Sequence, residues 1–222
     1  MRLMLLFCLL LTPYLSFGQN YFKDGVKWVL LNDCYSTYGK PIKSLSYIYL
    51  CKSPGDSLLS MYSYVDEPES KPIFIAYIKT EGEKVYFNQY EDSSPRWYLL
   101  YDFGLKPGEG CDIYRPLNFN PKRPRKPVKQ YMDCEDILRD DENPEWEIMD
   151  MVVYKDENDR ELSDSVRWIK GLSSESGVDI NNPFFLAGGG RDVIAVFDNG
   201  YLIYSKIKGS DPSKTIKDYF KH

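Results

Sequence analysis

Between Lys84 and Tyr114 short apolar runs alternate with turn residues, and that alternation leaves little room for anything but antiparallel β-structure. Val85, Tyr86 and Phe87 open one strand after a turn around Thr80-Glu81-Gly82-Glu83. Tyr90 to Pro95 is polar and turn-rich, and Trp97 to Phe103 is a run of aromatic and aliphatic side chains suited to a pleated, half-buried surface. Leu105 to Gly110 breaks the run, because Pro107 cannot donate to a ladder and the glycines permit left-handed turn angles. Cys111 to Tyr114 is a third strand, and the three together read as a β-meander. Asp102 interrupts the apolar run. An acid there either belongs to a site or accepts backbone N–H bonds at the following turn, and the second is the commoner arrangement because buried carboxylates are normally hydrogen-bonded.

The same pattern extends in both directions. Val26 to Leu31, carrying Trp28, Leu45 to Cys51 and Leu58 to Val65 read as strands, the last with Tyr62 and Tyr64 on one face and Leu59, Met61 and Val65 on the other. Ile73 to Ile78 is apolar on both faces, which predicts a central strand. Asp133 to Asp140 can form a short helix. Trp146 to Tyr154 alternates, with Met149, Met151 and Val153 facing one way and Asp150 the other. Arg167 to Gly177 is a short strand running into a loop, and Gly188 to Gly190 is a further loop. Val193 to Phe197 and Tyr201 to Ser205 make a hairpin across Asp198-Asn199-Gly200, where Asn-Gly is a strong hairpin signal. Ser210 to Phe220 can form a short C-terminal helix with Pro212 early. Ten to twelve closely spaced strands predict an all-β antiparallel meander that closes into a barrel or sandwich.

Residues 1–18 read as a signal peptide: Arg2 is the positive end, Leu3 to Leu11 the apolar stretch, and Ser16 and Gly18 the small residues before a cleavage. The expectation is therefore an exported protein of the periplasm, outer-membrane surface or extracellular space, with one β-rich domain over 19–209 and a tail over 210–222. No later apolar run approaches the roughly 18 residues that a membrane-spanning helix needs. Removing Arg2 takes the net charge from −5 to −6, which gives solubility but no general attraction for nucleic acid. Cys34, Cys51, Cys111 and Cys134 remain after the leader, an even set that favours disulfides in an exported chain. Short loops favour pairing Cys34 with Cys51 and Cys111 with Cys134. No pair has C-x-x-C spacing, which argues against a redox motif or zinc knuckle.

His222 is the only histidine, which removes Ser–His and Cys–His nucleophilic catalysis and histidine metal sites. Gly188-Gly189-Gly190 is followed by Arg191-Asp192 and not by a phosphate-loop lysine. Asp156, Asn158 and Asp159 lack the glycine and terminal glutamate of a calcium loop. No residue is assigned a catalytic, cofactor or metal role. A carboxylate pair could hydrolyse a glycoside without histidine, but the sequence singles out no pair among 33 acids. Lys122, Arg123, Arg125 and Lys126, set among prolines, are a candidate polyanion contact, against the plainer reading of a solvated loop. Many of the 19 tyrosines fall in strands, where an apolar body with a polar tip suits glycans and protein interfaces. The leading expectation is a non-catalytic exported binding module for a glycan or an envelope protein. A carboxylate-pair hydrolase and a structural envelope protein are the alternatives.

WYLLYDFGLKPGEG, RWIKGLSSESG and VIAVFDNGYLIYS occur in that order, preceded by YIKTEGEKVYF. Together they resemble a family of uncharacterised secreted bacterial β-rich proteins with L-L-Y-D-F-x-L-x-x-G, W-I-x-G-[IL]-x-S-x-x-G and D-N-G-x-x-I-Y segments. The resemblance runs from about Trp28 to Ser205 and implies a β-rich exported domain. Some relatives carry a type IX secretion sorting domain. Ser173 stands where these relatives have a glycine. The resemblance implies fold and compartment, and no residue inherits a catalytic role from it.

Overall fold

The computed structural model describes residues 20–35, 41–52, 58–65, 71–89, 96–115, 127–141, 143–154, 164–177 and 189–206. Among them the chain is all-β, with thirteen strands in two antiparallel sheets. Six form one run of consecutive neighbours: β1 (Val26–Tyr35), β2 (Pro41–Lys52), β3 (Leu59–Val65), β4 (Ile73–Glu81), β5 (Lys84–Asn88) and β6 (Tyr98–Asp102). The chain then crosses to a second sheet of β7 (Gly110–Arg115), β8 (Val128–Arg139), β9 (Glu147–Tyr154), β10 (Asp164–Ile169) and β11 (Ser173–Ser174). Finally β12 (Gly189–Asp198) and β13 (Tyr201–Ser205) return to the first sheet, where β12 pairs with β1. The first sheet thus has eight strands and the second five.

The predicted meander holds through β5 and β6 but ends there: β7 opens the second sheet instead of pairing with β6. The turn that makes the crossing is well tied. Gly108 N–H donates to Cys134 O at 2.8 Å, and Cys134 N–H donates to Glu109 O at 2.8 Å. Asp102 takes part as a structural acid. Its Oδ1 accepts the Gly104 N–H at 3.1 Å and its Oδ2 meets Lys84 Nζ at 3.2 Å.

Register shifts at Val29/Leu30, Met61/Tyr62, Val85/Tyr86 and Val196/Phe197 mark bulges in the large sheet, and bulges raise local twist and bend. The inner faces of both sheets share one core, which includes Trp28, Phe87, Tyr101 and Phe103 from the large-sheet side and Met132, Met149, Met151 and Trp168 from the small sheet. Tyr101 ties the sheets together. Its ring lies 5.0 Å from that of Trp168, and its hydroxyl accepts from Ser174 N at 3.1 Å and donates to Gly177 O at 3.1 Å.

The Asn-Gly hairpin forms as expected, with φ of 48° at Asn199 and 87° at Gly200. Both angles suit a type I′ turn, whose twist matches the flanking strands. The hairpin tip docks on Gly25, whose Asn199 neighbour leaves no room for a Cβ. Ile73–Ile78 lies in β4, a central strand as its two-sided apolar pattern predicts.

Three local expectations are corrected. Of Asp133–Asp140, all but Asp140 lies in β8 and none is helical, because pairing to β7 and β9 outweighs a weak local helical preference. Gly189 and Gly190 open β12 opposite Cys34 and Asp33 instead of forming a loop. The strand total among the described residues also exceeds the ten to twelve predicted. Ser173 sits in β11 without a left-handed φ. The predicted leader, the basic loop and the C-terminal helix lie outside the described residues.

Candidate functional site

The large sheet turns an aromatic band outward. Strand register fixes it. Tyr47 lies opposite Tyr64 and Tyr49 opposite Tyr62 across β2 and β3, on the side away from Ile48, Leu50 and Met61. Across β4 the band continues with Phe74, opposite Tyr62, and Tyr77, opposite Ser60. It reaches Tyr86 on β5, and in the other direction Val29 on β1 and Phe197 on β12. At about 4.8 Å per strand the row from Phe197 to Tyr86 covers about 24 Å.

These rings use one another as neighbours. The Tyr47 and Tyr64 centroids are 4.7 Å apart and the Tyr49 and Tyr62 centroids 5.5 Å, both pairs stacked. Phe74 meets Tyr62 edge-on at 5.7 Å and Tyr77 at 4.9 Å. Val29 and Tyr47 form a second, smaller buried cluster with Ile194 and Ala195, whereas Tyr49, Tyr62, Phe74, Tyr77, Tyr86 and Trp97 are half-buried. Two lysines flank the row. Lys27 Nζ stands 4.3 Å from the Tyr47 ring centroid, and Lys79 Nζ stands 5.0 Å from both Tyr86 and Trp97. Burial, reinforced by Cys51, Tyr62 and Tyr64, pushes the Tyr49 phenol above its ordinary value. Tyr49 therefore stays a neutral hydroxyl that can both donate and accept.

A second feature is a cleft of about 270 Å³ lined by Asp140, Asp141, Asn143, Arg167, Glu175, Tyr204 and Lys206. It brings the β8–β9 connection against β10, β11 and the end of β13. Arg167 reaches Asp150 at 3.2 Å and Glu175 at 3.5 Å, and Lys206 reaches Asp192 at 3.5 Å. Asp140 Oδ1 accepts the Asn143 N–H at 3.1 Å. The Tyr204 ring packs edge-on against Trp146 at 5.9 Å. This cleft is where the fold gathers acids, and no local pattern singles them out, since they come from segments as far apart as Asp140 and Glu175. The aromatic band was legible in part, through the alternation of Tyr62 and Tyr64.

The expected disulfides do not form. Cys51, Cys111 and Cys134 are free thiols. Cys34 lies opposite Ile42 in the β1–β2 ladder, nine residues from Cys51 along β2. At about 3.3 Å per residue that is roughly 30 Å, far beyond disulfide reach. Cys111 lies opposite Met132, so Cys134 is its diagonal neighbour, at about 7–8 Å between Cα atoms and outside the usual span. Burial is the main cause that pushes the Cys111 thiol up to about 12, with the Asp102 charge adding to it. Burial also raises Cys51 and Cys134. All three are protonated at neutral pH, so none is a ready nucleophile.

Lys122, Arg123, Arg125 and Lys126 lie outside the described residues. Among the described residues no group of three or more His, Cys, Asp or Glu side chains is placed to hold a metal, and no helix is long and apolar enough to cross a membrane. No family model, curated protein or solved structure matches the chain.

Proposed function

We propose that this is an exported, non-catalytic binding module, and that it recognises a protein surface through the aromatic band of the eight-stranded sheet. One observation carries the reading: a row of rings running unbroken across β2, β3 and β4, half-buried at Tyr49, Tyr62, Tyr64 and Phe74, with Lys27 and Lys79 beside it. Tyrosine supplies large, rigid contact area at low entropic cost and offers a hydroxyl at its tip. A protein partner is favoured over a glycan because the stacked pairs spend their ring faces on each other. What they present outward is ring edges and hydroxyls, whereas sugar stacking needs free faces. The Lys27 ammonium favours a neutral or acidic partner patch, whereas Lys79 is held by Glu81 at 2.7 Å.

The test is a pair of variants measured against envelope extract and then against the purified partner. Tyr49→Ala with Tyr62→Ala removes the centre of the band. Asp112→Asn with Lys129→Gln alters the outer side of the other sheet, where Lys129 Nζ meets Asp112 at 2.8 Å. The first pair is expected to weaken binding by about 30-fold or more, the loss typical of an interface centre, and the second to leave it intact. Equal binding by all forms contradicts the reading, and retention on immobilised glycan with loss in the first pair moves the partner class to carbohydrate.

A further inference from the structure

Two lysines of the aromatic band sit against rings, and among the described residues only one of them meets a carboxylate. On the reading of the band as a protein-docking surface, we infer that the partner presents an aspartate or glutamate carboxylate to Lys27, and that this contact selects the partner.

The two lysines are seated alike. Lys79 Nζ lies 5.0 Å from the ring centroids of both Tyr86 and Trp97. Lys27 Nζ lies 4.3 Å from the centroid of Tyr47 and 5.2 Å from that of Tyr64. Ring faces attract an ammonium but leave its charge in place. At Lys79 the set is completed by Glu81 Oε1 at 2.7 Å. Lys27 forms no ion pair among the described residues. Two acids at this end of β1 are engaged elsewhere. Asp24 Oδ1 accepts the Lys52 N–H at 2.9 Å, and Asp198 Oδ2 meets Lys23 Nζ at 2.8 Å. The Lys79 arrangement is thus a template within the same face for what docking would bring to Lys27.

Two features make the anion a carboxylate. One ammonium matches one monoanion, whereas phosphate sites gather several cations, arginines above all. Tyr49 lies opposite Lys27 across β1 and β2, and its hydroxyl has no hydrogen-bond partner among the described residues. A carboxylate has two oxygens to fill, one suited to the ammonium and one to a phenol O–H. Selection follows from rigidity. Lys27 is half-buried with its ammonium against two rings, so less side-chain freedom is lost when it pairs. The net charge of −5 opposes an acidic partner at long range. At physiological salt the screening length is about 8 Å, so the local contact at Lys27 outweighs it.

A random peptide library displayed on phage, panned on the full chain, is the probe. Counter-selection on Tyr49→Ala with Tyr62→Ala keeps only clones that need the centre of the band. The recovered sequences are expected to carry Asp or Glu beside an aromatic or large aliphatic residue. A synthetic peptide from the leading clone should bind Lys27→Met at least about tenfold more weakly than the unchanged chain, the loss expected for one charged hydrogen bond. Lys27→Arg, which keeps the charge, should lose much less. Exchanging the acid of the peptide for lysine should restore binding to Lys27→Glu, a rescue that a merely structural role for Lys27 cannot give. An unchanged thermal midpoint checks the fold of each variant, and where Lys27→Met lowers it the charge exchange decides. Neutral recovered sequences, equal binding to a folded Lys27→Met, or failure of the exchange overturns the carboxylate assignment and leaves the band as a docking surface. Recovery of no clone that depends on Tyr49 and Tyr62 overturns both.

Discussion

On the outer side of the eight-stranded sheet Tyr47 and Tyr64 stack at 4.7 Å, whereas on the outer side of the five-stranded sheet Arg167 meets Asp150 at 3.2 Å and the one ring pair described, Tyr131 and Tyr154, is looser at 6.4 Å. Both faces rest on the same core and both are built from alternating strands. A face that needs only to meet water can be covered with charge, as the smaller sheet is by Asp112, Lys129, Asp150 and Arg167. The larger sheet instead keeps apolar area half in solvent, and each square ångström left exposed forgoes about 25 cal/mol that burial would contribute. That difference points to a surface kept for contact.

The comparison presupposes two sheets held in fixed relation, and the largest expected effect tests this. Tyr101→Phe removes the hydroxyl that joins β6 to Ser174 and Gly177 and leaves a buried N–H and C=O unpaired. Stability should fall by about 1–3 kcal/mol, read from the urea midpoint. A loss near zero would mean that the sheets are joined elsewhere.

The next effect concerns the seam at Cys111. Its thiol stays neutral in the fold up to about 12, while an unfolded chain releases that proton near 9.0. From about pH 9 upward the unfolded state holds fewer protons than the native one, so stability falls as pH rises. By pH 10 the loss from this group is on the order of 1 kcal/mol relative to pH 7. Cys111→Ala should flatten that part of the profile, and an unchanged slope would show that the thiol is not desolvated.

The smallest effects set the two faces directly against each other. A double-mutant cycle on Tyr47 and Tyr64 should give a coupling of about 0.5–1.5 kcal/mol that survives high salt. The same cycle on Asp112 and Lys129 should give about 0.2–1 kcal/mol and lose most of it at 1 M salt. Equal salt sensitivity in the two cycles would erase the distinction.

How much of this was legible in the sequence follows from the range of the interactions involved. Alternation and turn chemistry are local, so β4, β9 and the Asn199-Gly200 hairpin could be read from their own residues. The crossing after Asp102 could not, because it depends on Cys134 closing on Gly108 and Glu109. The disulfide expectation failed for a related reason: loop length says nothing of register, and register sets Cys34 opposite Ile42. The band's tyrosines were visible as a half-buried face, but their stacking needed β2 and β3 to be set side by side. The cleft depends on segments distant in sequence, and no local signal marked Asp141 or Asn143.

Tyrosine nitration read by peptide mass spectrometry, with and without the partner recovered from envelope extract, compares the two faces within a single molecule. Tyr49, Tyr62 and Tyr77 report the aromatic band, while Tyr131 and Tyr154, 6.4 Å apart on the smaller sheet, are the internal control. The partner is expected to slow nitration of the first three and leave the last two unchanged. Protection of Tyr131 and Tyr154 with Tyr49, Tyr62 and Tyr77 still reactive would contradict it.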